Sequence, residues 1–330
     1  MEQQWRRIAL DFCAYAGIVR AMKKLILAAA LLSATAVAQG AGPFTVTGNG
    51  QSFYRLQDAV DAIGAGDGTI RIAAGTFKDC AVVSGGRVAF AAAISGTAIF
   101  DGGTCEGKAT LVLRGRDAAV DGLVFRNIGV PDRNGAGIRL EKGNLTVTNS
   151  AFRDSEQGIL TVDDPAQVVT IRRSTFSGLG TCEGAGGCAH GLYIGSSGML
   201  DVANSRFERG RGGHYVKTRA RRVAIVDSSF DDTQGRGTNY MIDLSNGATG
   251  RITGNEFVQG KDKENHSAFI TVAPEARANP STGLVIDGNR ASLAPGVTWS
   301  STFVADFAHE PLKIGRNQLG PRITAMDSRN

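Results

Sequence analysis

The chain has 330 residues, of which 44 are glycine and 8 are proline, and 20% of its residues are charged. This composition is too apolar for a disordered chain, and the many glycines indicate tight turns between short strands. The formal net charge is +5. Beyond residue 38 the chain carries 31 basic and 29 acidic residues, so nucleic acid is not an expected partner.

The first part of the chain predicts an exported protein. A basic start at Met22–Lys24 precedes a short apolar run, which ends in the small-residue sequence Ala-Val-Ala at residues 36–38. We therefore expect residues 1–38 to be an upstream extension and signal peptide, and residues 39–330 to be the mature domain. A membrane anchor is the alternative, but it needs a longer apolar run. The expected protein is periplasmic or secreted, has no membrane span and is a monomer.

Cysteine use agrees with export. Four cysteines follow the leader, namely Cys80, Cys105, Cys182 and Cys188. An even number in an exported chain favours disulfides, most plausibly Cys80–Cys105 and Cys182–Cys188. A zinc site is the alternative, although neither a CxxC nor an HxxxH spacing is present.

A repeated pattern dominates the second half of the chain, with irregular steps of 23 to 34 residues. Its apolar column consists of Val147, Ile171, Val202, Ile225, Ile252, Ile286 and Ile314. Its small polar column consists of Ser150, Ser174, Ser205, Ser228, Asn255, Asn289 and Asn317. A third column is rich in phenylalanine and includes Phe152, Phe176, Phe207, Phe230 and Phe257.

These columns predict a stack of β-coils. Alternating Ile and Val positions are the inward-facing positions of strands that lie about 4.8 Å apart from coil to coil. The polar column marks a turn in which small side chains bind backbone or their neighbours above and below. Irregular steps are tolerated because any turn of such a coil can lengthen. All three columns are therefore assigned to packing.

A short amphipathic helix is predicted before the repeats, with Phe53, Leu56, Val60 and Ile63 on one face. A strand in TIRIAAGTF follows it. This order resembles the capping helix and first coil of the pectate-lyase-like superfamily, and the resemblance covers nearly all of residues 44–320. It implies an all-β fold, namely a single-stranded right-handed parallel β-helix whose N-terminal helix covers the open end of the stack.

A second strand precedes each repeat, and its outward positions break the packing pattern. Strand alternation places Leu192, Val216 and Ile242 inward, with an uncertainty of one position between coils. The side chains predicted to point outward are Tyr193, Tyr215, Lys217, Arg219, Met241, Asp243 and Ser245. His190 and His214 stand at the starts of two of these strands. Such a face suits an acidic polysaccharide, because rings stack on sugars while Lys and Arg pair with carboxylates.

β-Helix polysaccharide lyases resemble this arrangement, since they use Lys or Arg as a base and Ca²⁺ or a second Arg to hold the carboxylate. The resemblance implies β-elimination, with Lys217 as the base and Arg219 as the carboxylate clamp. It gives His190, His214 and Tyr193 an assisting role. The residues expected to bind substrate are Tyr215, Arg222, Asp243, Asn246 and Tyr240.

Three questions stay open at the level of sequence. An Asp243 beside Lys217 would raise the pKa of Lys217 and make it a poorer base. No cofactor is specified, and Ca²⁺ is a candidate through Asp231, Asp232 or Asp243. The same face also suits a uronate C5-epimerase, or a carbohydrate-binding protein without catalysis.

Overall fold

The computed structural model describes residues 41–183 and 187–330, so the predicted leader of residues 1–38 lies outside the described residues. Within these ranges the structure has 32 short strands and one helix, all in the unit Gly42–Asn330. None of the described helical residues forms a helix long and apolar enough to cross a membrane.

The strands, numbered β1 to β32 in chain order, form three sheets that we call A, B and C. Sheet A contains β1 (Phe44–Val46), β2 (Ser52–Phe53), β3 (Asp67–Ile72), β6 (Arg87–Ala92), β9 (Asp117–Asp121), β12 (Asn144–Thr148), β15 (Val168–Arg172), β18 (Met199–Ala203), β21 (Arg222–Val226), β24 (Thr249–Thr253), β27 (Val285–Asp287) and β30 (Lys313–Ile314). Sheet B contains β4 (Gly75–Phe77), β7 (Ala98–Asp101), β10 (Leu123–Arg126), β13 (Ala151–Arg153), β16 (Thr175–Ser177), β19 (Arg206–Glu208), β22 (Ser229–Asp231), β25 (Glu256–Gln259), β28 (Arg290–Leu293) and β31 (Gln318–Leu319). Sheet C contains β5 (Ala81–Val83), β8 (Ala109–Leu113), β11 (Ala136–Leu140), β14 (Gln157–Thr161), β17 (Leu192–Ile194), β20 (Val216–Thr218), β23 (Ile242–Leu244), β26 (Ala268–Val272), β29 (Ser301–Asp306) and β32 (Ile323–Ser328).

From β3 onward the chain enters sheets A, B and C in turn, and each strand pairs in parallel with the strand three places further along. Each cycle is one coil of a parallel β-helix, as the repeats predicted. The apolar column stacks in register, from Val147 opposite Ile171 to Ile286 opposite Ile314. In sheet B the rings from Phe125 to Phe257 stack inside the coils with centroids 4.8 to 5.0 Å apart.

The small polar column lies at the turn from sheet A to sheet B. Each serine hydroxyl donates to the carbonyl two residues earlier, as Ser150 does to Thr148 at 2.8 Å. It also accepts from the backbone N–H of the preceding coil, as Ser174 does from Ser150 at 3.2 Å. Asn255 and Asn289 extend this ladder, with Asn255 Nδ2 donating to Asn289 Oδ1 at 3.0 Å. The predicted bonding between neighbouring coils is therefore confirmed.

Helix α1 (Leu56–Ile63) covers the first coil, as predicted. Leu56 and Val60 are buried in the main core, while Ile63 packs against it. The Asp79 carboxylate accepts from the Leu56 N–H at 2.9 Å and so satisfies a donor at the start of the helix. Phe53 packs against the same core but lies in β2, because the chain first forms a short antiparallel pairing between β1 and β2.

Both predicted disulfides are present, Cys80–Cys105 and Cys182–Cys188, with sequence separations of 25 and 6 residues. The longer loop restricts the unfolded chain more, so the first bond has the larger expected effect on stability. We expect Cys80→Ser together with Cys105→Ser to lower the free energy of unfolding by about 3 kcal/mol, and the second serine pair to lower it by about 2 kcal/mol. Denaturant unfolding of both double variants measures this, and a larger loss for the second pair contradicts the expected order.

Candidate functional site

The candidate site lies on the outer side of sheet C, where three successive strands carry polar residues in one column. Tyr193 in β17 is paired with Lys217 in β20, which is paired with Asp243 in β23. The inward neighbours Leu192 and Val216 are fully buried in the core. The uncertainty of one position between coils is thereby resolved, because the three polar residues stand directly above one another.

The turns that precede these strands add an aromatic cluster. His190 and His214 precede β17 and β20, and their ring centroids are 4.9 Å apart. His190 also makes an edge contact with Tyr193 at 4.9 Å, and His214 lies 5.7 Å from Tyr240. The Tyr240 hydroxyl accepts from Asn265 Nδ2 at 2.8 Å. His190, His214 and Tyr240 therefore lie at the starts of the sheet C strands, next to the column of Tyr193, Lys217 and Asp243.

Lys217 and Arg219 converge on one carboxylate, that of Glu275. Lys217 Nζ bonds Glu275 Oε1, and Arg219 Nη2 donates to Glu275 Oε2 at 2.6 Å. Arg219 Nη1 also donates to Tyr193 Oη at 2.8 Å, and its guanidinium carbon lies 5.3 Å from the Tyr193 ring centroid. Glu275 follows β26 in a loop that is anchored to the site by Asn279, whose Nδ2 donates to the Arg219 carbonyl at 3.2 Å.

Lys217 is held as a cation by two acidic partners. Its Nζ donates to Asp243 Oδ2 at 3.0 Å as well as to Glu275. Burial disfavours the charge, but the two carboxylates outweigh burial and raise the Lys217 pKa. Burial similarly opposes the charge of Glu275, yet Lys217 and Arg219 outweigh it and lower the Glu275 pKa. Asp243 therefore does lie beside Lys217, which is the arrangement that makes Lys217 a poorer base.

Asp243 is nearly inaccessible to solvent, with 2% of its surface exposed. Besides Lys217, its Oδ2 accepts from Ser245 Oγ at 3.0 Å, and its Oδ1 accepts from Thr271 Oγ1 at 3.1 Å. His214 Nε2 lies 3.6 Å from Oδ2. Asp243 therefore lies beneath Lys217 and positions it, which leaves no open carboxylate for a sugar. The expected direct binding of substrate by Asp243 does not fit this burial.

The two histidines form a neutral pair. The His214 backbone N–H donates to His190 Nδ1 at 3.0 Å, and the two Nδ1 atoms are 3.2 Å apart. Burial, followed by the charges of His214, Lys217 and Arg219, lowers the His190 pKa well below its usual range. Burial and the nearby lysines do the same for His214. Both rings therefore support Tyr193 and Lys217 by packing and add no charge to the site near neutral pH.

Tyr215 and Met241 were expected to point outward, and this is wrong. Both are buried in the main core, because strands β20 and β23 begin one residue later and the alternation does not extend into the turns. The Tyr215 hydroxyl donates to Asp232 Oδ1 at 2.7 Å and accepts from the Gly210 N–H at 3.0 Å. Tyr215 is therefore a core residue and does not reach a ligand on the outer face.

Arg222 and Asn246 also lie away from the expected positions. Arg222 opens β21, so it belongs to sheet A, where its guanidinium lies 3.5 Å from Met199 Sδ. The turn after β20 carries the chain from sheet C to sheet A and removes Arg222 from the site. Asn246 is half-buried in the turn after β23, and its carbonyl accepts from the Asn279 N–H at 2.9 Å. Its backbone thus helps to anchor the loop that carries Glu275.

The three aspartates considered for Ca²⁺ do not come together. Asp231 lies on sheet B and binds Arg206, whereas Asp232 is buried and binds Lys263 at 3.2 Å. Asp243 lies beneath Lys217 on sheet C. Over residues 41–183 and 187–330, the one group of three potential metal ligands is Cys182, Cys188 and Glu264. Its cysteines form a disulfide and have no thiolate to offer, so neither this group nor the three separated aspartates forms the expected Ca²⁺ site.

Sequence reasoning did not identify Glu275. The segment PEARANPSTG stood out as a charged insertion, but it carries no pattern that assigns one residue to the site. Glu275 and Lys217 are 58 residues apart, because Glu275 lies in the loop after β26, two coils along the chain from Lys217 in β20. The residue paired with Asp243 in the next coil is Thr271, and Glu275 comes three residues after the end of β26, so strand alternation gave no signal for it.

Comparisons with known proteins concern the fold. The family described as right handed beta helix region matches residues 110–295, more than half of the chain, whereas no curated protein matches it. A solved alginate lyase from Paenibacillus sp. str. FPU-7 is similar at 17% identity and a TM-score of 0.46, over 82% of this chain and 96% of that one. A pectin methylesterase mutant in complex with a hexasaccharide is similar at 10% identity and a TM-score of 0.39, over 85% and 79% of the two chains. The A-module of a mannuronan C-5 epimerase from Azotobacter vinelandii is similar at 13% identity and a TM-score of 0.38, over 83% and 94%. The family match confirms the expected right-handed coil, and the chain belongs to the right-handed β-helix family.

Proposed function

We propose that this chain cleaves an acidic polysaccharide by β-elimination at the site formed by Tyr193, Lys217 and Arg219. The observation that carries the proposal is the convergence of Lys217 and Arg219 on one carboxylate group. The Glu275 side chain that occupies this position is 41% exposed. A uronate carboxylate has the same charge and planar shape, so it can replace Glu275 between the two cations.

The chemistry requires a neutralised carboxylate and a group that moves a proton. Lys217 and Arg219 stabilise the negative charge that spreads onto the carboxylate when the C5 proton leaves. The Tyr193 oxygen, as a phenolate beside the Arg219 guanidinium, accepts the C5 proton. The C4–O bond then breaks, a C4–C5 double bond forms, and the Tyr193 phenol gives that proton to the leaving oxygen. Tyr193 supports this step because its hydroxyl oxygen is bonded to Arg219 and its ring is partly exposed.

This assignment changes the role of Lys217 relative to the sequence-based expectation. A base must be unprotonated, whereas Asp243 and Glu275 raise the Lys217 pKa and favour its ammonium form. We therefore assign Lys217 to charge stabilisation together with Arg219, and proton transfer to Tyr193. His190 packs its ring edge against Tyr193 and limits the positions of the phenol.

The test is incubation of the mature protein with alginate, pectate, glycosaminoglycans and bacterial uronate-containing exopolysaccharides. We expect the ultraviolet absorbance of the unsaturated uronate to increase with one of these polymers. Proton exchange at C5 in deuterated water without unsaturated product would instead indicate an epimerase. Binding without either reaction would indicate a carbohydrate-binding protein, and the lyase proposal would then be wrong.

We further propose that the protein acts outside the cytoplasm. Two disulfides support this location, because such bonds persist in the periplasm and in secreted proteins. An acidic polysaccharide is a polymer of the cell exterior, so the proposed substrate requires the same location. Cell fractionation followed by N-terminal sequencing of the mature protein tests the location and the expected cleavage after residue 38 together.

A further inference from the structure

A depression of about 380 Å³ adjoins the site on the outer side of sheet C. Its lining includes Lys108, Arg139, Leu160 and Tyr193. Arg139 in β11, Leu160 in β14 and Tyr193 in β17 are paired in successive strands, so they continue the column of Lys217 toward the N-terminus. The depression and the candidate site therefore share Tyr193 and lie along the same column of sheet C.

Leu160 forms an apolar patch beside Tyr193 in this depression, among charged and polar lining residues. Leu160 belongs to a small cluster on the outer side of sheet C, which is separate from the main core. The other buried members are Ala109, Val112 and Ala136, and Tyr193 packs against them. Leu160 beside the partly exposed phenol ring of Tyr193 is the kind of surface on which a pyranose ring packs.

Arg139 has an incompletely satisfied guanidinium. Its Nε is buried and makes no hydrogen bond to the described residues. The Glu141 carboxylate is 3.7 Å from this nitrogen, but it is already bonded by Lys108 Nζ at 2.9 Å and by Arg114 Nε at 2.6 Å. A buried donor without a partner is rare in folded proteins, so the Arg139 guanidinium keeps hydrogen-bonding capacity that the protein does not use.

The other charges around Arg139 leave it as the available cation. Lys108 and Arg114 are both bonded to Glu106 as well as to Glu141. Asp132, on the rim of the depression, accepts a hydrogen bond from the backbone N–H of Asn134. An incoming carboxylate therefore meets the already paired Lys108 and the under-bonded Arg139 in the depression.

We propose that this depression is a second uronate subsite, in which Arg139 binds the carboxylate of a sugar whose ring packs on Leu160 and Tyr193. The inference rests on the proposed function and extends it to the length of the substrate. Three coil steps separate Arg139 from Lys217, or about 14 Å at the spacing of paired strands. A pyranose in a 1,4-linked chain is about as long as the spacing between neighbouring coils. A substrate must therefore contain about four sugars to reach both Arg139 and Lys217.

The test compares Arg139→Gln with wild type on a uronate trisaccharide and a pentasaccharide prepared from alginate and from pectate. We expect kcat/KM for the pentasaccharide to fall about tenfold, because a charge-assisted hydrogen bond is lost, and kcat/KM for the trisaccharide to stay unchanged. Arg153→Gln is the matched control, since Arg153 is exposed on sheet B. Equal effects on both lengths, or none on either, overturn the subsite.

Calorimetric binding of the same oligosaccharides separates this proposal from the lyase proposal. If wild type makes no product but binds the pentasaccharide tightly, and Arg139→Gln loses that preference for length, the subsite stands while the lyase proposal fails. If wild type binds neither length, the subsite is overturned. Should Arg139→Gln lower the melting temperature, Arg139→Lys keeps the charge without the planar fork and is expected to lose part of the length preference.

Discussion

Replacement of Lys217 by alanine is expected to lower kcat for formation of unsaturated product by at least about 100-fold, because the developing charge on the carboxylate loses one of its two cations. Arg219 still binds the substrate, so KM is expected to change less than kcat. Initial rates of absorbance increase on the best polymer measure both constants. Circular dichroism of the variant checks that the β-helix is intact, since Lys217 is bonded to the buried Asp243. Activity within a few-fold of wild type would remove Lys217 from the mechanism.

The conservative variant Lys217→Arg distinguishes charge stabilisation by Lys217 from the role of a base. A cation that stabilises charge can be replaced in part by arginine, whereas an arginine cannot give up its proton and act as a base. We therefore expect Lys217→Arg to retain more activity than Lys217→Ala, and Tyr193→Phe to lose at least as much as Lys217→Ala. Equal inactivity of both Lys217 variants, together with an active Tyr193→Phe, would restore lysine as the base.

The pH dependence of the activity also distinguishes a charge-stabilising Lys217 from a Lys217 that acts as the base. The Lys217 pKa is raised in the folded protein, so the stabilisation from its carboxylate partners is complete below the unfolded lysine pKa of about 10.4 and is lost as pH rises through the folded value. Activity that needs the ammonium is expected to decline in that alkaline range. Activity that continues to increase as pH rises through the folded Lys217 pKa would instead indicate that the neutral amine is the base.

Glu275→Gln provides a matched control at the same site. It removes the charge that competes with the substrate carboxylate but leaves Lys217, Arg219 and Tyr193 in place. KM for the anionic polymer is expected to fall, whereas kcat is expected to change little. A higher KM would indicate that Glu275 positions the two cations in the substrate complex as well.

The fold was predictable because its information is local and repeated. Each coil places a β-branched residue inward. Alignment of the repeats therefore predicts which residues stack in neighbouring coils, as with Val147 and Ile171. The column of Tyr193, Lys217 and Asp243 followed from the same alternation. Alternation fails one residue before a strand, which is why Tyr215 is buried. Glu275 was not predictable, because its contact with Lys217 depends on the path of a loop that has no periodicity.

The largest loss of stability is expected from a substitution in the turns next to the site. There Asp232 and Lys263 form an ion pair whose side chains are fully buried. Asp232 Oδ1 accepts from Tyr215 Oη at 2.7 Å and from Thr238 Oγ1 at 2.8 Å. Its Oδ2 accepts from the Gly260 N–H at 3.1 Å and lies 3.2 Å from Lys263 Nζ. This network joins the turns of three successive coils. Lys263→Met would leave the Asp232 charge buried without its cation, and we expect it to lower the free energy of unfolding by about 3–5 kcal/mol.

The double variant Asp232→Asn with Lys263→Met separates the cost of an unpaired charge from the value of the pair. Burial lowers the Lys263 pKa although Asp232 opposes this, so burial of the charged pair is itself unfavourable. Asparagine keeps one oxygen that accepts from Tyr215 and Thr238, and no buried charge remains. The double variant is therefore expected to be more stable than Lys263→Met alone, as measured by denaturant unfolding. Lys261→Met is the matched control, because Lys261 is exposed in the same loop. Equal stability of Lys263→Met and Lys261→Met would mean that the buried pair does not hold these turns together.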